Sequence, residues 1–444
     1  MTLETDRDER EMLRRLGIDS VDALFADIPE SVRHGLDLPE GMGELEVHRE
    51  LRNLLGRNRT VDDIPCFLGG DVQNRFVPPA VDSIVSRSEF YTSYTPYQPE
   101  ASQGMLQALF EYQSFMCELT GMDAANTSMY DGVTALGEAC LMASRINQKR
   151  ELIVPRALGR GKRSVLDSYA RGPGLKVKEV GFDRRTGKID LGELSTLVSG
   201  DTSAVYVESP NHFGVLEESL DEIRRISKDC ALIVGVDPLS LAVLRPPGDF
   251  GADIVVGEGQ SLGLPMGFGG PLLGLFACRG EHVRRMPGRI AGMTKDVNGR
   301  RAFCLTLQTR EQHIRRGKAT SNICTNQSLC AVASAVFMSL LGRRGLRRLA
   351  LRNMETARAV MERIDGLDGF EAPLFDSHHF NQFVARSGRS WNDINARLLG
   401  MGIQGGLSLE DGFPELGNAC LMGVTEQTSQ GDVDRLVRAL EAVR

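Results

Sequence analysis

Between residues 150 and 280 the chain alternates short apolar runs with amphipathic stretches, and that alternation leaves few folds open. Residues 151–155, 175–180, 204–208, 232–237, 253–257 and 272–277 read as strands, with helices near 157–171, 189–198 and 219–229. Strands that are nearly continuous in Val, Ile and Leu are apolar on both faces and need cover on both. The helical stretches between them supply it, so a mostly parallel sheet in an α/β arrangement is predicted. Such sheets bind ligands at the C-terminal ends of their strands. Two strand ends stand out there. Leu232-Ile-Val-Gly-Val-Asp237 finishes on a carboxylate, and Asp253-Ile-Val-Val-Gly-Glu-Gly-Gln260 opens into a glycine-rich loop that runs to Gly270-Pro271.

The 444 residues suffice for a large core and two or three structural units. A net charge of −7 gives no reason to expect nucleic acid or a membrane surface as partner. No apolar run reaches the roughly 20 residues that span a bilayer. The charged start, Met1-Thr-Leu-Glu-Thr-Asp-Arg, has no secretory pattern, so a cytoplasmic protein is expected. The nine cysteines are scattered with no C-x-x-C pair, and the seven histidines form no H-x-x-x-H pattern, which argues against disulfides and against a metal site. Only eight of the 52 basic residues are Lys, so amine chemistry has few candidates.

Residues 1–66 read as a helical arm of short amphipathic pieces, 67–330 as the large α/β domain and 331–444 as a smaller α+β domain. The stretch 90–99 carries four aromatics broken by prolines and cannot be a regular helix or a central strand. It is either an extended cap on the core or a loop that brings Tyr94 and Tyr97 to a site. A strong helix over 100–120 ends at Gly121. A small-residue loop with Ser128, Asp131 and Gly132 then runs into a helix, whose free N–H groups make a natural phosphate cradle and equally an ordinary cap. After the run 308–327 come apolar helices over 327–342 and 346–364, then strands near 379–385 and 418–425 and helices near 391–400 and 431–443.

A strand ending in Asp beside a strand opening into a glycine-rich loop is how aminotransferase-type pyridoxal-phosphate (PLP) enzymes are built. The Asp pairs with the pyridine nitrogen and a loop Lys carries the cofactor as a Schiff base. Here the loop has no Lys. Three stretches resemble one family, the P-protein of the glycine cleavage system, and within it the subunit 1 or α chain of the two-chain form. They are Tyr94-Thr-Pro-Tyr-Gln-Pro-Glu-Ala-Ser-Gln-Gly104, Ser209-Pro-Asn-His-Phe-Gly214 and Gln308 to Gln327. The resemblance covers essentially the whole chain, and 308–327 is its most specific part.

It implies the fold-type I PLP architecture, a β subunit as partner in an α2β2 assembly, and PLP held by that partner. It implies glycine decarboxylation with transfer of the aminomethyl group to the lipoyl arm of the H-protein. Matching the Gly-Gly-Pro of the loop puts Gln260 where the β family has its Schiff-base Lys, and an amide cannot form that bond. Asp237, His212 and Ser128/Asp131/Gly132 then match a vestigial cofactor pocket that only keeps strand ends and helix caps in shape. Thr320, Ser321 and Asn322 are expected to reach the partner's PLP phosphate, and Tyr94 and Tyr97 to line its site. The competing readings are a purely structural or docking subunit, and an autonomous PLP lyase using an unexpected Lys. A dinucleotide-binding dehydrogenase is disfavoured because no G-x-G-x-x-G follows a strand.

Overall fold

The computed structural model describes residues 6–35 and 37–443. Contacts group the chain into two units, Met1–Arg59 and Thr60–Arg444. The first carries helices Asp6–Leu16 and Glu44–Leu55, with 3-10 turns at Val21–Phe25 and Glu30–Val32. Glu46 turns its carboxylate back to the Gly43 amide at 3.0 Å, which satisfies a donor that a helix start leaves open.

The second unit is built on a seven-stranded sheet. Its strands are β1 (Ala124–Ala125), β2 (Glu151–Pro155), β3 (Lys176–Val180), β4 (Thr202–Glu208), β5 (Ala231–Val236), β6 (Ile254–Glu258) and β7 (Gly274–Cys278). They lie in the order β1-β7-β6-β5-β4-β2-β3. Each of the six strands read from the sequence is present within two residues of its expected ends. Strands β2 to β6 are parallel, whereas β7 runs antiparallel to β6 and pairs with β1. The chain between β6 and β7 holds only 3-10 turns, and a parallel return needs a crossover of a dozen or more residues, usually a helix.

Because successive strand side chains point to opposite faces, the central strands feed two cores. Ile153, Val205, Leu232, Val234 and Val255 pack in one, with residues of helices Gln103–Thr120 and Ser328–Asp365. Leu152, Val154, Tyr206, Ile233, Ile254 and Val256 pack in the other, with residues of helices Gly132–Asn147 and Arg160–Arg171. Each fully buried Leu, Ile or Val contributes roughly 1.5–3 kcal/mol, so neither face can be uncovered cheaply. Edge strand β3 is the exception: its sequence is Lys-Val-Lys-Glu-Val, only Val180 is buried, and the lysines keep the edge solvated.

Beyond β7 an antiparallel ribbon, β8 (Ile290–Lys295) with β9 (Arg301–Thr306), packs on helix Gln103–Thr120. This hairpin lies outside the strands predicted from the sequence. Its turn, Asp296-Val-Asn-Gly299, is polar and glycine-closed, and its strands alternate only weakly in polarity.

The two helices expected at 327–342 and 346–364 form one element, Ser328–Asp365, interrupted at Gly342 (φ 59, ψ −178). That backbone conformation is open essentially to glycine alone. The half before the break is buried in the large core through Ala331, Ala335, Phe337 and Met338. The half after it supplies Ala357, Val360, Met361 and Ile364 to a second core with Phe67, Phe383, Trp391 and Leu436. That core backs a four-stranded antiparallel sheet of β10 (Phe370–Glu371), β11 (Gln382–Ser387), β12 (Leu407–Ser408) and β13 (Ala419–Gly423).

The segment before the first helices of the large part runs along β13, with Leu68 bridged to Met422 and the Gly423 amide donating to the Phe67 carbonyl at 3.0 Å. Glycine at 423 permits that approach. A Cβ there would lie 2.3 Å from Gln73 Nε2 and 3.0 Å from the Leu68 carbonyl oxygen. Gly423→Ala is therefore expected to destabilise this unit by roughly 1–3 kcal/mol, the usual range for overpacking, read as a lowered urea midpoint with unchanged slope.

Candidate functional site

Parallel strands β4, β5 and β6 end side by side, and each end delivers an acid to the same edge of the sheet. Glu208 closes β4, Asp237 follows β5 and Glu258 closes β6. A carboxylate in a confined, low-dielectric place needs a partner, and each has found a different one. Lys162, from helix Arg160–Arg171, reaches Glu208 at 2.7 Å and Asp71 at 3.0 Å. Tyr206 donates its hydroxyl to Glu208 at 2.6 Å, while Glu208 Oε2 is buried with no hydrogen-bond partner. Burial alone would lower the Lys162 pKa, but Asp71 and Glu208 outweigh it and hold the ammonium well above its ordinary value.

Asp237 accepts the Ser261 hydroxyl at 2.7 Å and lies 3.7 Å from the Arg75 guanidinium. Glu258 accepts the amides of Gly132 at 2.9 Å, Gln260 at 3.0 Å and Leu273 at 3.1 Å. Burial still pushes its carboxyl up to about 7, with Asp71 and Asp131 adding to the rise. These groups surround a cavity of about 50 Å³ that Gly70, Gln73, His212, Gly235 and Gln382 also line.

Of the expected vestigial pocket, Asp237, His212 and Gly132 line this cavity, and Gln260 lies beside it. Gln260 is buried, donates from Nε2 to the carbonyls of Gln73 at 3.0 Å and Leu264 at 2.8 Å, and accepts the Gln73 amide at 3.2 Å. At the helix start Gly132 gives its amide to Glu258, and Asp131 Oδ1 takes the Thr134 amide at 2.7 Å. Ser128 faces another way: its buried hydroxyl accepts the Gln327 amide at 2.9 Å. His212 lies against Gly159, 5.5 Å between ring centroids from Phe413, and burial pulls its pKa down to about 4.

The residues expected to act on a partner lie on a second, more open face. Tyr97 and Tyr94 are 42% and 73% exposed. The Tyr97 hydroxyl accepts from Arg289 at 3.0 Å and approaches Glu311 at 3.3 Å, and His313 meets its ring edge-on at 5.5 Å. Arg310 fastens the loop beneath: it donates to the carbonyls of Leu307 at 3.1 Å, Gly288 at 3.1 Å and Met286, and its own carbonyl accepts the Thr320 amide at 3.2 Å. Thr320 and Ser321 line a cleft with Arg289 and Glu311, and Asn322 is exposed. Tyr97 and Thr320–Ser321 thus meet around one Arg289–Glu311 pair, whereas Tyr94 stands apart in solvent.

Sequence reasoning missed Lys162, Asp71, Glu208, Glu258, Gln73 and Arg75. Glu208 and Glu258 carried a legible signal, since each is the last residue of a buried strand. Arg75 and Gln73 carried none, because their partners Asp237, Asn353, Asn381 and Glu426 lie far along the chain.

Does this edge fit PLP? Ligand pockets of that kind usually measure about 300–1,000 Å³, several times what is open here. The cradle amide is taken by a carboxylate, the Asp by a guanidinium, and the Schiff-base position by an amide locked in three hydrogen bonds. Lys162, held as an ammonium between two acids, has no free electron pair to attack with. The residues of this chain do not fit the cofactor.

A large, mostly parallel sheet with acids at its C-terminal edge, a glycine-rich loop after β6, and a long helix leading to a small α+β part define the fold-type I architecture of PLP enzymes. Two distant structures share that fold. A sphingosine-1-phosphate lyase from Burkholderia pseudomallei is 15% identical with a TM-score of 0.66 over 93% of each chain. A cysteine desulfurase from Thermococcus onnurineus is 18% identical with a TM-score of 0.61 over 86% of this chain and 96% of that one. Within the class the match is much narrower. The chain belongs to the glycine cleavage system P-protein family, whose pattern matches residues 3–440. It is similar to the probable glycine dehydrogenase (decarboxylating) subunit 1 of Desulforamulus reducens, at 45% identity over 99% of this chain and 98% of that one. The corresponding subunit 1 of Thermotoga maritima is 46% identical over 98% of each chain. A solved glycine decarboxylase (P-protein) in inhibitor-bound form superposes with a TM-score of 0.92 at 40% identity, covering both chains fully.

One buried imidazole, His379, and one partly buried, His212, make the fold sensitive to acid. Burial lowers the pKa of His212 and of His379 from 6.5 to about 4. The folded state then binds fewer protons than the unfolded chain between those values, so stability is complete above about pH 6.5 and lost as the pH falls toward 4. The expected loss is roughly 2–3 kcal/mol per ring. Urea midpoints measured from pH 7 to 4 should fall less steeply in His379→Leu than in the parent chain.

Proposed function

We propose that this chain is the subunit 1 half of a two-chain, cytoplasmic glycine dehydrogenase (decarboxylating), and that it carries no cofactor of its own. Its partner is a β subunit, in an α2β2 assembly, that holds PLP on a Lys. Bound there, PLP supplies the electron sink for the charge left on glycine when CO2 departs. The aminomethyl group passes to the lipoyl arm of the H-protein. The observation that carries this reading is the contrast between the two faces: the edge that should hold a cofactor is closed on itself, while the 308–327 run is open.

On that open face the Thr320 hydroxyl and the Asn322 amide are donors suited to a phosphate on the partner, with Ser321, whose hydroxyl accepts the Ile323 amide at 3.1 Å, between them. Arg289 keeps Tyr97 oriented, and Tyr97 and Tyr94 supply aromatic surface for the partner's site. A purely structural subunit would need the open face only for packing. An autonomous PLP lyase is opposed by Lys162, the lysine that reaches the strand-end acid Glu208, being clamped between Asp71 and Glu208.

Co-expression with a β chain decides between these. This chain alone should give no glycine–bicarbonate exchange, and the pair should give full exchange. In the pair, Thr320→Ala with Asn322→Ala should lower exchange about 10- to 100-fold, the scale of one or two lost charge-assisted hydrogen bonds, with the complex intact by size-exclusion chromatography. Unaltered exchange would leave the structural reading standing.

A further inference from the structure

We infer that the segment 67–76 is a built-in plug, which fills the former cofactor pocket with this chain's own side chains and thereby fastens the large and small parts of the second unit together. Each portion of a fold-type I pocket has a protein group in it. Where a pyridinium would answer Asp237, Arg75 does so at 3.7 Å. Where a phosphate would accept from the helix start at Gly132, Glu258 does so at 2.9 Å. Where a Schiff-base Lys would reach inward, Gln260 is paired with the backbone of Gln73 in both directions.

The same two plug residues also reach the long helix and the small part. Arg75 is nearly sealed from solvent, and it donates to Asn353 on the long helix at 3.0 Å and to Glu426 after β13 at 3.3 Å. Gln73 accepts at Oε1 from Asn381 at 2.6 Å and from Arg75 at 3.2 Å. Further along, Phe76 donates its amide to Glu426 at 2.8 Å and Thr425 donates its hydroxyl to the Asn74 carbonyl at 2.6 Å. On the near side the Gly70 amide donates to Gln382 Oε1 at 2.7 Å. Asp237 and Gln260 belong to the large part; Asn381, Gln382, Thr425 and Glu426 belong to the small one.

A buried guanidinium with acids on two sides is costly to break from one end, because the groups left behind stay desolvated and unpaired. The two parts are thus held in one arrangement by polar contacts around a plug, and the plug cannot leave without exposing Asp237 and Glu426. This predicts a rigid body with no opening at the cleft. It also predicts that restoring a lysine is not enough to restore a cofactor site.

The test uses this chain alone, so its outcome is independent of the role proposed for Thr320 and Asn322 in the pair. Gln260→Lys, titrated with PLP and treated with borohydride, should show no saturable visible-range band and no trapped pyridoxyl peptide. Because that variant could misfold, Arg75→Met is measured alongside by hydrogen exchange. Amides of 67–76 and of 424–427 should exchange about tenfold faster or more, with the strands β4 to β6 unchanged. A Gln260→Lys chain that takes up PLP covalently would overturn the plug. So would an Arg75→Met chain whose exchange at 67–76 matches the parent's.

Discussion

Three carboxylates at the ends of neighbouring parallel strands set the terms for the rest of this molecule. Glu208, Asp237 and Glu258 are placed by strand pairing, not by choice of a loop, and the sheet cannot be formed without bringing them together. In a medium less polarisable than water each must be answered by a cation, a donor or a proton. The answers come from everywhere in the second unit: Lys162 from a covering helix, Arg75 from the segment before the first helices, the amide of Gly132 from a helix start. Much of the connectivity between distant stretches is a solution to that one electrostatic demand.

This arrangement separates two things that usually coincide, the site a fold provides and the site a protein uses. The strand edge remains charged and confined, yet its groups are spent on one another. The open face is made of different material. Arg310 spends its donors on the carbonyls of Leu307, Gly288 and Met286, which gives the 308–327 run a fixed shape while leaving Asn322 and Tyr97 exposed. A loop shaped from below and bare above suits recognition by another surface.

The fold was legible where burial leaves a repeating mark. Runs such as Leu232-Ile-Val-Gly-Val and Ile254-Val-Val can only be central strands, and their ends were readable because the helices around them are amphipathic with ordinary caps. The direction of β7 was not legible, since nothing in Gly274-Leu-Phe-Ala-Cys278 records which way the chain returned. The β8–β9 hairpin was hidden because one face of it packs on a helix and Met293 on it stays exposed, which blurs its period. At the site, the missing lysine at 260 could be read from one position. What replaced the cofactor could not, because Arg75 and Gln73 act through partners that lie up to 351 residues away in the chain. Long-range polar pairing has no period and no motif.

The break in the long helix has a geometric meaning of its own. Ala331, Phe337 and Met338 belong to one core, and Ala357, Val360 and Ile364 to the other, so a single rod is gripped at both ends by different apolar surroundings. An unbroken rod would fix the azimuth between those grips at whatever 100° per residue delivers. Gly342, with its φ of 59° and ψ of −178°, resets that phase in one step. Leu346 and Ala350, beyond the break, still pack in the first core, so Gly342 sets the direction in which the second half crosses that core on its way to the other.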